Sequence, residues 1–159
     1  MKTTCVFVVV CAVVMVAASG CRGGGDPAAD RAAIQAVLDT YITSIENEDI
    51  ELYASIFVHD PEMVNFGSGA GDRIVGWEAL RQAIEAQNAA LSGTTIAQSD
   101  VTINVSPDGQ FAWATSLWDF KATMGEQAIA LPVRCSWILE KRGTNWHIVH
   151  FHKSVGMTG

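Results

Sequence analysis

Two histidines separated by a single residue, His150 and His152, stand near the end of the chain in Trp146-His147-Ile148-Val149-His150-Phe151-His152-Lys153-Ser154. In an extended strand alternate residues point the same way, so both imidazoles share a face, together with Trp146, Ile148 and Ser154. Such a pair can act as acid and base partners. It can also begin a metal site, but a third ligand is needed and neither a second histidine pair nor a placed carboxylate is evident, so no metal is expected. The plainer reading is two hydrogen-bonded histidines on a half-buried face or an interface. Arg134 presents a guanidinium fork suited to a carboxylate, and its strand face also carries Ala130, Pro132 and Ser136. The alternative is a solvent-facing or ion-paired arginine. Tyr41 falls on the apolar stripe of a helix, either as a core aromatic or as a pocket donor. His59-Asp60 precedes Pro61 and reads as a turn, because sequence neighbours seldom face one another.

The elements that must position these groups follow from periodicity and turn residues. Ile34, Val37, Leu38, Tyr41, Ile42 and Ile45 recur at helical spacing and predict one long amphipathic helix. Asp49 caps a shorter helix carrying Leu52, Tyr53, Ile56 and Phe57, ended by His59, Asp60 and Pro61. A short strand at Met63 to Phe66, a glycine-rich loop and Arg73 to Val75 lead through Gly76 into a third helix marked by Trp77, Leu80, Ile84 and Leu91. Four strands follow, roughly 96–105, 110–122, 128–141 and 145–154, joined by Pro107-Asp108-Gly109 and Arg142-Gly143-Thr144 turns. An antiparallel meander is the simplest arrangement. Pro132 lacks a backbone donor, so its strand is bulged or locally at an edge there. The fold class is α+β. A sheet apolar on both faces, as Val149 and Phe151 opposite Ile148 and Trp146 imply, must be covered twice, by helices and by a second copy, which predicts a homodimer. Trp118 and Asp119 are candidates for a pocket mouth.

Helix, helix, strand pair, helix and then a long curved sheet resembles the nuclear transport factor 2-like superfamily, whose SnoaL-like members form a cone around a pocket. The resemblance covers about residues 30–155. Its last strand, Trp146 to Ser154, is similar to that of the association domain of calcium/calmodulin-dependent protein kinase type II, which also keeps an arginine equivalent to Arg134. The resemblance implies three N-terminal helices packed on a curved antiparallel sheet. It also implies a pocket in which Tyr41, Arg134, His150 and His152 bind a small polar or anionic organic ligand. Ketosteroid isomerases of the superfamily need acids where this chain has Asn65 and Arg134. Asn65 cannot accept a proton and Arg134 stays charged, so that activity is disfavoured. The alternatives are an isomerase, dehydratase or hydrolase using a pocket histidine, or an assembly module without a ligand. No cofactor is implied.

The chain begins with Lys2, an apolar run from Cys5 to Ala18, and Ala18-Ser19-Gly20-Cys21 before Arg22 and three glycines. Fourteen apolar residues fall short of the about 20 a membrane span needs, so this reads as a cleaved export signal. The stretch ending in Cys21 resembles the lipobox of bacterial lipoproteins. That implies a signal over 1–20, a lipidated Cys21 with a flexible tether over 21–29, a domain over 30–155 and a tail over 156–159. The protein is then exported and held on the cell envelope, facing the periplasm, with the lipid as its membrane contact. Cys135 is left as an isolated, buried thiol that forms no internal disulfide. Ten Lys and Arg against 17 Asp and Glu give a net charge of −7. Losing residues 1–20 removes Lys2 and no acid, making it −8. With so few scattered cations, nucleic acid is excluded as a partner.

Overall fold

In the computed structural model, residues 26–69 and 71–156 are described. The expected signal, lipidated Cys21 and most of the tail lie outside the described residues. Helix α1 spans Pro27–Glu46, α2 Ile50–Ser55 and α3 Trp77–Ala90; strands β1 and β2 span Val64–Phe66 and Arg73–Val75. The long strands are β3 (Ser92–Val105), β4 (Phe111–Met124), β5 (Gln127–Arg142) and β6 (Asn145–Val155).

Helix α1 starts before residue 30. Pro27 occupies the first turn, where its missing N–H costs nothing, and the Asp26 carboxylate accepts from Ala28 N–H at 2.9 Å. The last three residues of the expected tether, 27–29, are therefore helical. Ile34, Leu38, Tyr41 and Ile45 form the buried stripe. Asp49 caps α2 by accepting from Leu52 N–H at 2.9 Å. Gly76, ahead of α3, sits at φ 83°, and a Cβ there would lie 2.9 Å from the Pro61 carbonyl oxygen, so both conformation and space demand glycine.

The sheet order is β2-β1-β6-β5-β4-β3. The four long strands form the expected meander, but β1 pairs parallel to β6 through Phe66 and His152, so the sheet is mixed rather than wholly antiparallel. Pro132 faces Asp119 on β4 without a register shift, and β6 pairing ends at Val133 and Val155. The missing N–H of Pro132 therefore meets a local edge.

One departure from the sequence pattern reassigns faces. The β5/β6 register shifts between Ile138 and Leu139, where Val149 is the extra residue of a bulge. The bulge keeps Trp146 and Ile148 on the same face as Phe151, buried under α1, while His150, His152 and Ser154 turn to the opposite face. The expectation that the histidines share a face with Trp146 and Ile148 assumed an unbroken two-residue period; the bulge breaks it. On β4 the alternation is regular. Ala112, Ala114, Ser116 and Trp118 are buried against the helices, and Phe111, Trp113, Leu117 and Asp119 are exposed. Small β4 side chains leave depth beneath α1, and the core is filled from the other strands by Trp137, Leu139, Ile148 and Phe151.

Candidate functional site

The concave face under the helices is walled by aromatic rings centred on Tyr41. Its ring lies 5.2 Å from Tyr53, 5.6 Å from Trp118, 6.2 Å from Trp137 and 6.0 Å from both Phe57 and Phe151. Tyr41 is fully buried, and its position on the stripe of α1 is what helical spacing dictates.

Within this wall the Tyr41 and Tyr53 hydroxyls, Trp118 Nε1 and Asn65 Nδ2 are buried without a hydrogen-bond partner. Asn65 Oδ1 accepts from Phe151 N–H at 2.9 Å, which fixes the amide so that its NH2 is the unpaired end. Burial, and then the adjacent Tyr41 hydroxyl, push the Tyr53 pKa well above the ordinary phenol value, so Tyr53 stays protonated. The two tyrosine hydroxyls are close enough to interact with each other, so one of them, Trp118 Nε1 and Asn65 Nδ2 are left able to donate, and unpaired buried donors of this kind each cost on the order of 1–3 kcal/mol. Asp30 is the buried carboxylate among the described residues, and it is committed elsewhere: it accepts from Lys141 Nζ at 2.6 Å and Trp146 Nε1 at 3.1 Å. Burial pushes the Cys135 thiol, whose side of β5 faces the core, up to about 12, so it is no nucleophile at neutral pH.

An opening of about 60 Å3 reaches this wall beside Trp118, lined also by Ile96, Phe120, Leu131, Val133 and Lys153. That volume holds a few waters or a small group of atoms. Lys153 Nζ sits 5.3 Å from the Phe151 ring and brings a cation to the mouth. Trp118 is at the mouth as expected; Asp119 is not, because it points to the other face of β4.

Arg134, His150 and His152 come together, but on the convex face, with the thickness of the sheet between them and Tyr41. The four residues do not share a cavity. His150 Nδ1–H donates to the Val64 carbonyl at 2.6 Å, and the Phe66 ring stands edge-on to both imidazoles at 6.1 and 5.8 Å. A groove of about 390 Å3 runs past Asp100, Leu117, Arg134, Ser136 and His152. Among the described residues no group of three or more metal-ligating side chains occurs. His59 stacks on Trp77 at 4.2 Å and Nε2–H donates to Ala54 O at 3.1 Å, while Asp60 accepts from Glu62 N–H at 2.8 Å. That pair is the turn its sequence suggests. Tyr53 is the member of the donor set that sequence reasoning missed; the available signal was a second polar-headed aromatic on a buried helical stripe.

A family model for a SnoaL-like domain matches residues 34–158. No curated protein sequence matches the chain. Among solved structures, a nuclear transport factor 2-like superfamily protein from Salmonella enterica serovar Typhimurium superposes with a TM-score of 0.76 at 24% identity, covering 84% of this chain and 96% of its own. A protein from Streptomyces avermitilis, proposed to be a dehydratase of that family, gives 0.74 at 13% identity, covering 83% of this chain and 100% of its own. A proposed calcium/calmodulin dependent protein kinase II association domain from Xanthomonas campestris gives 0.67 at 16%, covering 79% and 87%. At these identities the likeness is one of fold.

Proposed function

The chain belongs to the SnoaL-like domain family, and we propose that its cone binds a small organic ligand whose carbonyl or carboxylate oxygens accept from Tyr41, Tyr53, Asn65 and Trp118. The observation that carries this is the set of buried donors, Trp118 Nε1, Asn65 Nδ2 and the adjoining Tyr41 and Tyr53 hydroxyls, that find no acceptor other than each other. A folded protein does not ordinarily bury several unpaired donors together, and oxygen acceptors on a ligand would satisfy them. Lys153 at the mouth favours an anionic ligand, and the aromatic wall favours a flat body. Among the described residues, neither a carboxylate nor a histidine lines the opening beside Trp118, so the reading is binding with polarisation of the acceptor rather than proton abstraction.

Two further statements belong to the same reading. Residues 1–20 act as a cleaved lipoprotein signal, and lipidated Cys21 behind it holds the domain on the envelope facing the periplasm. The domain pairs with a second copy through its convex face, where Trp113 and Ile138, 51% and 43% exposed, stand opposite each other on β4 and β5, with Phe111 and Leu117 exposed on the same face of β4 to either side. Such clustering marks a contact surface rather than scattered surface apolar residues.

The test is quenching of tryptophan fluorescence in the full-length chain, extracted in mild detergent, by small aryl carboxylates and aryl ketones. Saturable quenching that weakens about tenfold in Tyr41→Phe and in Tyr53→Phe, and is unchanged in Arg134→Ala, is the expected outcome. Binding that depends on Arg134 and ignores both tyrosines would overturn the cone reading.

A further inference from the structure

Lys153 is a cation set into an inward-facing row. It pairs across the sheet with Cys135, and Phe151 precedes it on the same face of β6; both neighbours are buried. The ammonium stands 5.3 Å from the Phe151 ring, and Lys153 takes part in no ion pair among the described residues. Its surroundings bring no negative charge to it. The Cys135 thiol, pushed up to about 12 by burial, stays protonated at neutral pH. Asp119 points to the other face of β4, and Asp30 is held by Lys141 and Trp146. The opening itself is lined by apolar side chains and by neutral polar ones, Ser68, Gln87 and Trp118. A lysine stem can carry its charge from an apolar row to the rim, and here it carries the charge to the mouth of the cone.

The cone therefore has two polar ends of different character. The inner end offers neutral donors, and Trp118 joins it to the opening, which it lines while its Nε1 is buried without an acceptor. The outer end offers an ammonium, and Phe120, Leu131 and Val133 make the opening between them apolar. The Phe151 ring is 5.3 Å from that ammonium and 6.0 Å from the Tyr41 ring, so at most about 11 Å separates the cation from the Tyr41 ring. One small molecule with an oxygen group at each end spans that distance. Neutral N–H and O–H donors suit a carbonyl oxygen, whereas an ammonium at an apolar mouth suits a carboxylate, with which its hydrogen bond is charge-assisted.

We propose that the cone selects oxo acids, with the carboxylate held by Lys153 at the mouth and the carbonyl held by the inner donors. The proposal rests on the cone binding stated above and adds the ligand's class, its orientation and Lys153 as the residue that sets specificity. The reversed orientation would strip water from a carboxylate among neutral groups and leave the ammonium facing a ketone, so it is disfavoured. A ketone without the acid satisfies the inner end alone, and an acid without the carbonyl satisfies the mouth alone. The opening, about 60 Å3, restricts the chain to a short one.

Isothermal titration calorimetry on the full-length chain in mild detergent tests this with a matched set: 4-oxopentanoate, 2-pentanone and pentanoate, with pyruvate and 5-oxohexanoate as shorter and longer oxo acids. The expected result is that the best oxo acid binds about tenfold or more tighter than either the ketone or the simple acid. Lys153→Met should weaken oxo-acid binding about tenfold or more, leave 2-pentanone within about twofold and keep the melting curve. Lys153→Arg, which preserves the charge, should restore most of the oxo-acid affinity. An oxo acid that binds no better than 2-pentanone, or that keeps its affinity in Lys153→Met, overturns the selection; 2-pentanone binding that still weakens in Tyr53→Phe then leaves the cone binding intact. A folded chain that takes up none of these compounds overturns the selection, and the aryl ligands of the fluorescence test then decide the cone binding separately.

Discussion

The two faces of β4, β5 and β6 are drawn from the same strands, residue by residue in alternation, yet they solve different problems. The concave face pairs small β4 residues with large rings on β5 and β6 and hides neutral donors among them. The convex face exposes its large apolar residues and holds Arg134, Asp100 and two histidines. The concave face buries Asp30 with its charge neutralised on the spot by Lys141 and Trp146, and keeps Lys153 at the mouth. The convex face leaves its charges unpaired in the protomer because water, or a partner, can reach them. What separates the two is a single extra residue, Val149, which shifts the phase of β6 midway along its length.

Deleting Val149 is therefore the most damaging change this comparison predicts. With an unbroken two-residue period, either Trp146 and Ile148 turn outward or His150 and His152 turn under the helices. Both alternatives expose or desolvate groups worth several kcal/mol. The expected loss is on the order of 4–5 kcal/mol or more in denaturant unfolding, with a molten, dye-binding state as the extreme outcome. A deletion variant with near-original stability would show that the faces are not set by the bulge.

Asp30 sharpens the contrast next. Asp30→Ala leaves Trp146 Nε1 and the Lys141 ammonium without their acceptor and should cost about 2–4 kcal/mol, whereas Arg134→Ala should change unfolding of the protomer by less than about 0.5 kcal/mol. The Lys141 hydrogen bond, aided by Trp146 and opposed by burial, holds the Asp30 pKa below its ordinary 3.8. The unfolded chain therefore takes up this proton first as pH falls. The stabilisation is complete above about pH 4–5 and is lost progressively below it, as pH drops through the folded-state value. The gap in stability between the original chain and Asp30→Asn should narrow over that acid range; a gap independent of pH would mean the ion pair is not its source.

These residues also show how far the sequence could be read. Element order, turns and the buried stripe of α1 rest on local periodicity and capping, and those signals are carried by neighbours in sequence. The position of Tyr41 under the sheet and the edge at Pro132 were legible for that reason. The side on which His150 and His152 emerge was not, because a bulge leaves no composition signature: Ile148-Val149-His150 reads equally well as a continuous strand. Arg134 was placed on the correct side of its strand relative to Ser136 and Pro132, but which side faces the helices depends on contacts with Tyr41 and Trp118 that lie far away in sequence. Asn65 stands where the resemblance to ketosteroid isomerases puts the base, and its burial follows from that strand position. Its locked amide depends on a hydrogen bond to Phe151, 86 positions further on.

The smallest effect predicted is also the one that bears most directly on function. Tyr53→Phe removes a buried hydroxyl whose neighbour is the equally buried Tyr41 hydroxyl and which has no acceptor in the fold, so the ligand-free protein should be unchanged or more stable by about 0.5–1 kcal/mol in thermal or denaturant unfolding. Ser136→Ala, on the convex face where water satisfies the hydroxyl, should do nothing in the same measurement. A structural hydroxyl behaves in the opposite way, since losing it costs the fold a hydrogen bond. If Tyr53→Phe destabilises the ligand-free chain by more than about 1 kcal/mol, the hydroxyl already has a partner, such as an ordered water, and the cone is not waiting for an acceptor. A stability gain joined to weaker ligand binding is the signature of a donor kept for something other than folding.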